Sequence, residues 1–140
     1  MKDAVFIDSN IFIAELNKDD SLHNRAKVVL SNIEKQNLSA ITSNFIINEV
    51  ITVLSQRVSK IIAITFANFI YDSDTAIDIM TINKNIEIKA IEYLKNLKSK
   101  NISFCDCATL AVLDLFNIDN LATFDKDFKL QNSSFKIINE

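Results

Sequence analysis

A chain of 140 residues with no glycine and no proline has few ways to turn. Connections between helices and strands often need a residue with positive φ, where glycine alone escapes a Cβ clash. With glycine missing, such positions fall to asparagine, the next most tolerant residue in the left-handed region. The sequence holds 16 asparagines, and Asn37, Asn83, Asn101, Asn117 and Asn120 stand where connections are expected. The same absence excludes the glycine-rich loops of dinucleotide-binding folds and P-loop NTPases. The 22 isoleucines and the lack of tryptophan fit an AT-rich coding sequence rather than a special architecture.

Residues 4–8 read as a short, fully buried strand, and a helix is expected over 9–17. A stronger helix spans 21–36, where Leu22, Ala26, Val29, Leu30 and Ile33 recur at helical spacing. "LSAITS" (38–43) is a second strand. Asn44 is expected to cap a helix from Phe45 to about Val58, and Ser59 to open another through Tyr71. "TAIDIMTI" (75–82), rich in β-branched residues, predicts a third strand. An amphipathic helix follows over 84–99. Ser103 opens a helix through Phe116, with Asp106 three residues on as a capping-box variant. "NLATF" (120–124) and "FKIIN" (135–139) are the closing strands. Strands alternating with helices predict an α/β fold whose mostly parallel sheet of four to five strands is covered on both faces. No linker or repeat interrupts it, so residues 1–140 are expected to form a single domain.

A hydrophobic fraction of 49% with 24% charged residues excludes intrinsic disorder. No apolar run approaches the roughly 18 residues of a membrane helix. At the N-terminus Asp3 and Asp8 flank a very short apolar run, which is not a signal peptide, so a cytoplasmic protein is expected. Cys105 and Cys107 are too close for a comfortable disulfide and lack the Cys-x-x-Cys spacing, so both read as small buried hydrophobes. The net charge of −3 lacks the basic excess of an obvious nucleic-acid binder. Acidic active-site residues can lower such a total while local basic patches persist.

In open α/β sheets, ligands gather beyond the carboxyl ends of the strands. Asp8 ends the first strand, Asp125 follows "LATF" with Asp127 close behind, and Asp106 lies in the first turn opened by Ser103. Glu49 sits one turn into the helix leaving the second strand, between Gln56 on the polar side and Phe45 and Val53 on the apolar side. Each has a plainer reading: a helix cap for Asp8, a dipole partner for Asp106, a turn residue for Asp125, a solvated flank for Glu49. Together, four carboxylates at one sheet edge would repel one another unless cations neutralised them. Mg²⁺ and Mn²⁺ are hard-oxygen cations suited to that task, and one or two can activate a water and hold a phosphodiester in line. The set predicts metal-dependent phosphodiester hydrolysis.

"VFIDSNIFIA", "SNFIINEVITVL", "ISFCDCATLAVLDL" and "LATFDKDF" resemble, in order and spacing, the motifs of PIN-domain ribonucleases, and most of all the VapC-type toxins of prokaryotic toxin–antitoxin pairs. The resemblance spans nearly the whole chain. It places the family's acids on Asp8, Glu49, Asp106 and Asp125, with Asp127 able to share or take the last role. Asn10 and Thr123 match polar positions that orient the carboxylates. It implies a three-layer α/β/α sandwich and Mg²⁺- or Mn²⁺-dependent endoribonuclease activity. It further implies dimers and a VapB-type antitoxin that blocks the acidic pocket. Lys126 and Lys129 are candidate RNA-phosphate contacts, although lysines after a turn are more often simply solvated.

Three other readings compete. A phosphatase using an aspartate nucleophile after the first strand needs a second aspartate two positions on, and position 10 is Asn. A receiver domain needs acids where Ile7 and Ile82 stand. A PIN-like module that binds RNA or a partner without cleaving it stays open. With His23 the only histidine, a paired-histidine ribonuclease mechanism is excluded, and His23 reads as a surface helix residue.

Overall fold

The computed structural model describes residues 2–130 and 134–140. Among the described residues, five strands and six α-helices occur, beginning with β1 (Ala4–Ile7), α1 (Ser9–Leu16), α2 (His23–Lys35), β2 (Ser39–Ser43), α3 (Asn44–Arg57) and α4 (Lys60–Ile70). Then come β3 (Ile77–Met80), α5 (Lys84–Asn96), α6 (Phe104–Leu115), β4 (Asn120–Ala122), a 3₁₀ turn at Lys126–Leu130 and β5 (Lys136–Ile138). The strands form one sheet in the order β3-β2-β1-β4-β5, every neighbouring pair parallel. Among the described residues the sheet is therefore wholly parallel and five-stranded.

That order carries the functional geometry. The chain steps outward from β1 through β2 to β3, then crosses back to place β4 and β5 on the other side. With right-handed crossovers, opposite steps put α1 to α4 on one face and α5 and α6 on the other. The result is a three-layer α/β/α sandwich, with α3 packed on α4 and α5 on α6. The direction reverses between β1 and β4, which is where open α/β sheets leave a crevice. Strand β1 is buried at all four positions, as a central parallel strand must be. Helix α6 is buried continuously from Cys107 to Leu113 and serves as a core helix. Among the described residues no helix is long and apolar enough to cross a membrane.

Asparagine does replace glycine at the turns. Among the described residues only Asn37 (φ 55°) and Asn117 (φ 51°) have positive φ. Each follows a helix and precedes a strand. After α2, the amide of Leu38 donates to the Ile33 carbonyl at 3.1 Å and that of Asn37 to Glu34 at 2.9 Å. After α6, Ile118 donates to Leu113 at 3.0 Å and Asn117 to Asp114 at 3.3 Å. Both are Schellman endings, with an apolar residue on each side of the turn. The other three asparagines have different roles. Asn83 caps α5 by accepting from the Ile86 amide, Asn101 lies in a turn, and Asn120 opens β4 while its side chain donates to the Lys2 and Ala4 carbonyls.

The third strand, expected over 75–82, is confined to Ile77–Met80, the helix expected over 84–99 ends at Asn96, and one helix cap differs from expectation. Ser43, not Asn44, caps α3, its hydroxyl accepting from the Ile46 amide at 3.3 Å. The Asn44 side chain instead accepts from the Ile82 amide at 2.7 Å, tying the start of α3 to the chain beyond β3. Either residue can cap, and the long-range bond decides between them.

Candidate active site

The crevice between β1 and β4 is built on Asp8. The Asp8 amide donates to the Ala122 carbonyl at 3.0 Å, continuing the β1–β4 ladder one residue past β1. Its backbone then turns to start α1, and Oδ1 accepts from the Ser9 amide at 2.8 Å as an N-cap. Only 4% of the residue is exposed. Oδ2 accepts from Thr123 Oγ1 at 2.7 Å, and Asn10 Nδ2 lies 3.4 Å away. Asn10 Nδ2 also donates to Thr123 Oγ1 at 3.1 Å, and Asn10 Oδ1 accepts from the Phe124 amide at 3.1 Å. The Thr123 hydroxyl further accepts from the Asp125 amide at 3.0 Å. Thr123 is thus the hub between Asp8, Asn10 and Asp125, and it is itself fully buried. Asp125 Oδ1 accepts from the Asp127 amide at 2.9 Å, which opens the 3₁₀ turn carrying exposed Lys126 and Lys129.

Asp106 comes from the other face of the sheet. Its Oδ2 accepts from the Ser103 amide at 3.0 Å while Ser103 Oγ accepts from the Asp106 amide at 3.1 Å, a complete capping box. Glu49, exposed on α3, takes a contact from α6: Cys105 Sγ lies 3.7 Å from Glu49 Oε2. The Phe45 and Phe104 rings, 6.3 Å apart, hold the first turns of α3 and α6 together beside it.

The electrostatics join these four carboxylates into one neighbourhood. Burial is the main force raising the Asp8 pKa from 3.8 to about 7. Hydrogen bonds from Thr123 and Ser9 oppose that rise, and the charges of Asp106 and Glu49 add to it. Burial likewise raises Asp106; its Ser103 bonds pull the other way, and Asp125 and Glu49 push it further up. The Cys105 thiol is pushed well above its usual range by burial, then by Glu49, Asp8 and Asp106. The fields of Glu49 and Asp125 are thus felt at Asp106, and those of Glu49 and Asp106 at Asp8. The described ion pairs, of Lys89 with Glu92 and Asp114, involve none of these acids.

Four carboxylates, all hard oxygen donors, with no cationic side chain among their described partners, suit a hard divalent cation in donor chemistry. Among the described residues no three His, Cys, Asp or Glu are drawn tightly enough together to form a ready ligand cluster. Like charge opposes bringing bare carboxylates together, and a bound cation would offset it. His23 takes no part: its Nδ1 is 2.9 Å from the Ala14 carbonyl, which fastens α2 to α1.

A PIN-domain profile matches residues 5–131. The chain belongs to the PIN-domain family. This PIN domain is 27% identical over 124 residues to the 23S rRNA-specific endonuclease VapC20 of Mycobacterium tuberculosis, covering 89% of this chain and 91% of that one. It superposes on the crystal structure of that sarcin–ricin loop cleaving toxin with a TM-score of 0.81 at 25% identity, over 91% and 94% of the two chains. Two more distant structures share the fold. One is a toxin–antitoxin complex from Klebsiella pneumoniae (TM-score 0.65, 17% identity, 95% of each chain). The other is FitAcB from Neisseria gonorrhoeae (TM-score 0.67, 14% identity, 96% of each).

The residues anticipated from sequence divide clearly. Asp8, Asn10, Thr123 and Asp125 form one hydrogen-bonded unit, and Asp106 and Glu49 reach it through charge. Two neighbours were not anticipated as part of it. Cys105, half-buried and packed against the core, also sets its thiol against Glu49, whereas Cys107 is fully buried as expected. Arg25 stands over the Phe124 ring, 5.1 Å from its centroid. The position of Cys105 beside Asp106 in "FCDC" was a usable signal, and Arg25 had none.

Proposed function

We propose that this PIN domain is a Mg²⁺- or Mn²⁺-dependent endoribonuclease and the toxin of a toxin–antitoxin pair. The observation that carries the reading is the buried Asp8 carboxylate, bonded to Thr123 across the β1–β4 crevice and raised in pKa by its burial, with a further push from the charges of Asp106 and Glu49. Asp8, Glu49 and Asp106 would hold the ion, with Asp125, or Asp127 in its place, completing the set. When bound, the ion supplies a more acidic water and positive charge near the leaving oxygen. The chain's own residues set the stage. Thr123 and the Ser9 amide fix the two oxygens of Asp8, Asn10 locks Thr123 to the Phe124 backbone, and Ser103 fixes Asp106. This scaffold keeps the carboxylates oriented as RNA arrives.

The similarity to a 23S rRNA-specific endonuclease supports RNA as substrate and makes a sarcin–ricin loop RNA the first to try. The toxin–antitoxin complex among the structural neighbours supports an antitoxin partner. Exposed Ile61 and Ile64 on α4, and Ile88 and Ile91 on α5, offer apolar surface for a homodimer or that partner. The deciding assay incubates the pure protein with sarcin–ricin loop RNA and with total RNA, in Mg²⁺, Mn²⁺ or EDTA, beside Asp106→Asn. Cleavage is expected only with the cations and to fall by at least about 100-fold in the variant, about 3 kcal/mol of barrier. Cleavage in EDTA, or full activity in Asp106→Asn, would refute the site. A small open reading frame for an antitoxin is expected beside the gene.

A further inference from the structure

An exposed arginine on a helix is ordinarily mobile and solvated, but Arg25 is held in three ways. Its Nε and Nη2 both donate to the Asn139 carbonyl, at 3.2 and 2.8 Å. Its guanidinium carbon lies 5.1 Å from the centroid of the Phe124 ring. Both anchors sit at the carboxyl edge of the sheet, close to the acids. Phe124 lies between Thr123 and Asp125, and its amide is the one bonded to Asn10. Asn139 follows Ile138, whose carbonyl accepts from the Thr123 amide at 3.2 Å.

The anchors share one property: neither carries charge. A carbonyl oxygen and an aromatic face orient a guanidinium without neutralising it. Among the described residues Arg25 makes no ion pair with a carboxylate. The result is a positive charge in a fixed orientation, with Nη1 unspent among the described contacts, stacked on the residue that precedes Asp125. Such a group meets a specific need. A carboxylate pocket in a chain of net charge −3 repels a polyanion, and a planar guanidinium is suited to phosphate oxygens.

We propose that Arg25 is a preformed clamp for a backbone phosphate of the RNA strand flanking the cleaved bond. Phe124 and the Asn139 carbonyl hold it at its post. The proposal rests on RNA being the substrate, and it deepens that reading by naming the group that receives the strand. Preorganisation is the point of the arrangement, because a side chain already ordered loses little further freedom on binding.

The test measures binding of a short fluorescent single-stranded RNA by anisotropy across a salt series, with Ca²⁺ as the divalent ion. Wild type is compared with Arg25→Gln, Arg25→Lys, Phe124→Leu and, as a charge-matched control at the far end of α3, Arg57→Gln. Arg25→Gln is expected to weaken binding about tenfold and to lower the slope of log K against log salt by about 0.7, the loss of one phosphate contact on a single strand. Phe124→Leu keeps the charge but not its fixed orientation, so it should weaken binding while leaving most of the slope. Arg25→Lys should behave likewise, and Arg57→Gln should match wild type. In cleavage assays the Arg25→Gln loss should fall on KM more than on kcat.

Equal slopes for wild type and Arg25→Gln would overturn the proposal, as would a wild type that binds no RNA. So would an Arg25-dependent affinity confined to an acidic peptide, which would assign the residue to a protein partner. If Arg25→Gln fails to fold, Arg25→Lys and Phe124→Leu decide, and wild-type affinity in both refutes the clamp. Absence of cleavage by wild type, with the Arg25-dependent slope intact, would sink the ribonuclease reading and the clamp's place beside a cleaved bond, leaving Arg25 as a phosphate contact for bound RNA.

Discussion

Replacing Asp8 with Asn separates the cost of a buried charge from the worth of its hydrogen bonds. The wild-type carboxyl goes from a pKa of 3.8 when unfolded to about 7 when folded. Below pH 4 both states hold the proton and the group costs nothing. Between 4 and 7 the folded state keeps a proton that the unfolded state has released, so stability falls as pH rises. Above 7 the penalty is complete. A tenfold change in proton affinity is about 1.4 kcal/mol, so the full penalty is about 4 kcal/mol. Asn carries no charge but has one acceptor oxygen where Asp8 uses two, for Ser9 and Thr123. Losing that second acceptor costs about 1–2 kcal/mol at every pH. The two effects predict a crossing. In EDTA, Asp8→Asn should be less stable than wild type at pH 4.5 and more stable by about 2–3 kcal/mol at pH 8. Urea titrations at several pH values, with m held common, read this as a shift of midpoint. Adding Mg²⁺ at pH 8 should stabilise wild type and leave Asp8→Asn unmoved. A stability difference that does not vary with pH would refute the argument, because it would mean that the Asp8 charge is not held in a desolvated site.

Thr123→Val keeps the shape but removes the donor to Asp8 and the acceptor used by Asn10 and the Asp125 amide; a loss of about 2–3 kcal/mol is expected by urea denaturation, with cleavage nearly abolished. Asn37→Ala and Asn117→Ala force a Cβ-bearing residue without a polar side chain into the left-handed region, and each should cost about 1–2 kcal/mol; the same midpoint measurement checks it. Asn83→Ala, which removes a cap rather than a left-handed residue, should cost about 1 kcal/mol. The Cys105 thiol, held protonated beside the acids, should react slowly with a disulfide reagent at pH 8 and at the ordinary rate once the protein is unfolded. A fast reaction in the folded state would place Cys105 outside the carboxylate field.

What could be read in advance was whatever is written locally. The run Ala4–Ile7 followed by Asp8 announces a buried strand ending in a polar residue, and Ser103 with Asp106 announces a helix start, because both patterns act within a few residues. The same logic anticipated asparagine in place of glycine, yet only two of the five candidates adopt positive φ, since a cap or a strand start can claim an asparagine just as well. Asn44 shows the limit. Ser43 and Asn44 are equally good caps locally, and the choice falls to the Ile82 amide, 38 residues away. Arg25 lies further beyond reach, its carbonyl partner 114 residues distant. Pairings of that span are settled by topology, and no local pattern encodes them.

The bond from Thr123 to Asp8 joins residues 115 positions apart. During synthesis, Asp8 leaves the ribosome long before the strand that supplies Thr123, Asn10's backbone partner and Asp125. Until β4 slides in beside β1, the Asp8 carboxylate has only its own helix start for company. On the proposed function, an enzyme aimed at RNA, made by a machine that is itself RNA, would by this topology stay unassembled for most of its own translation.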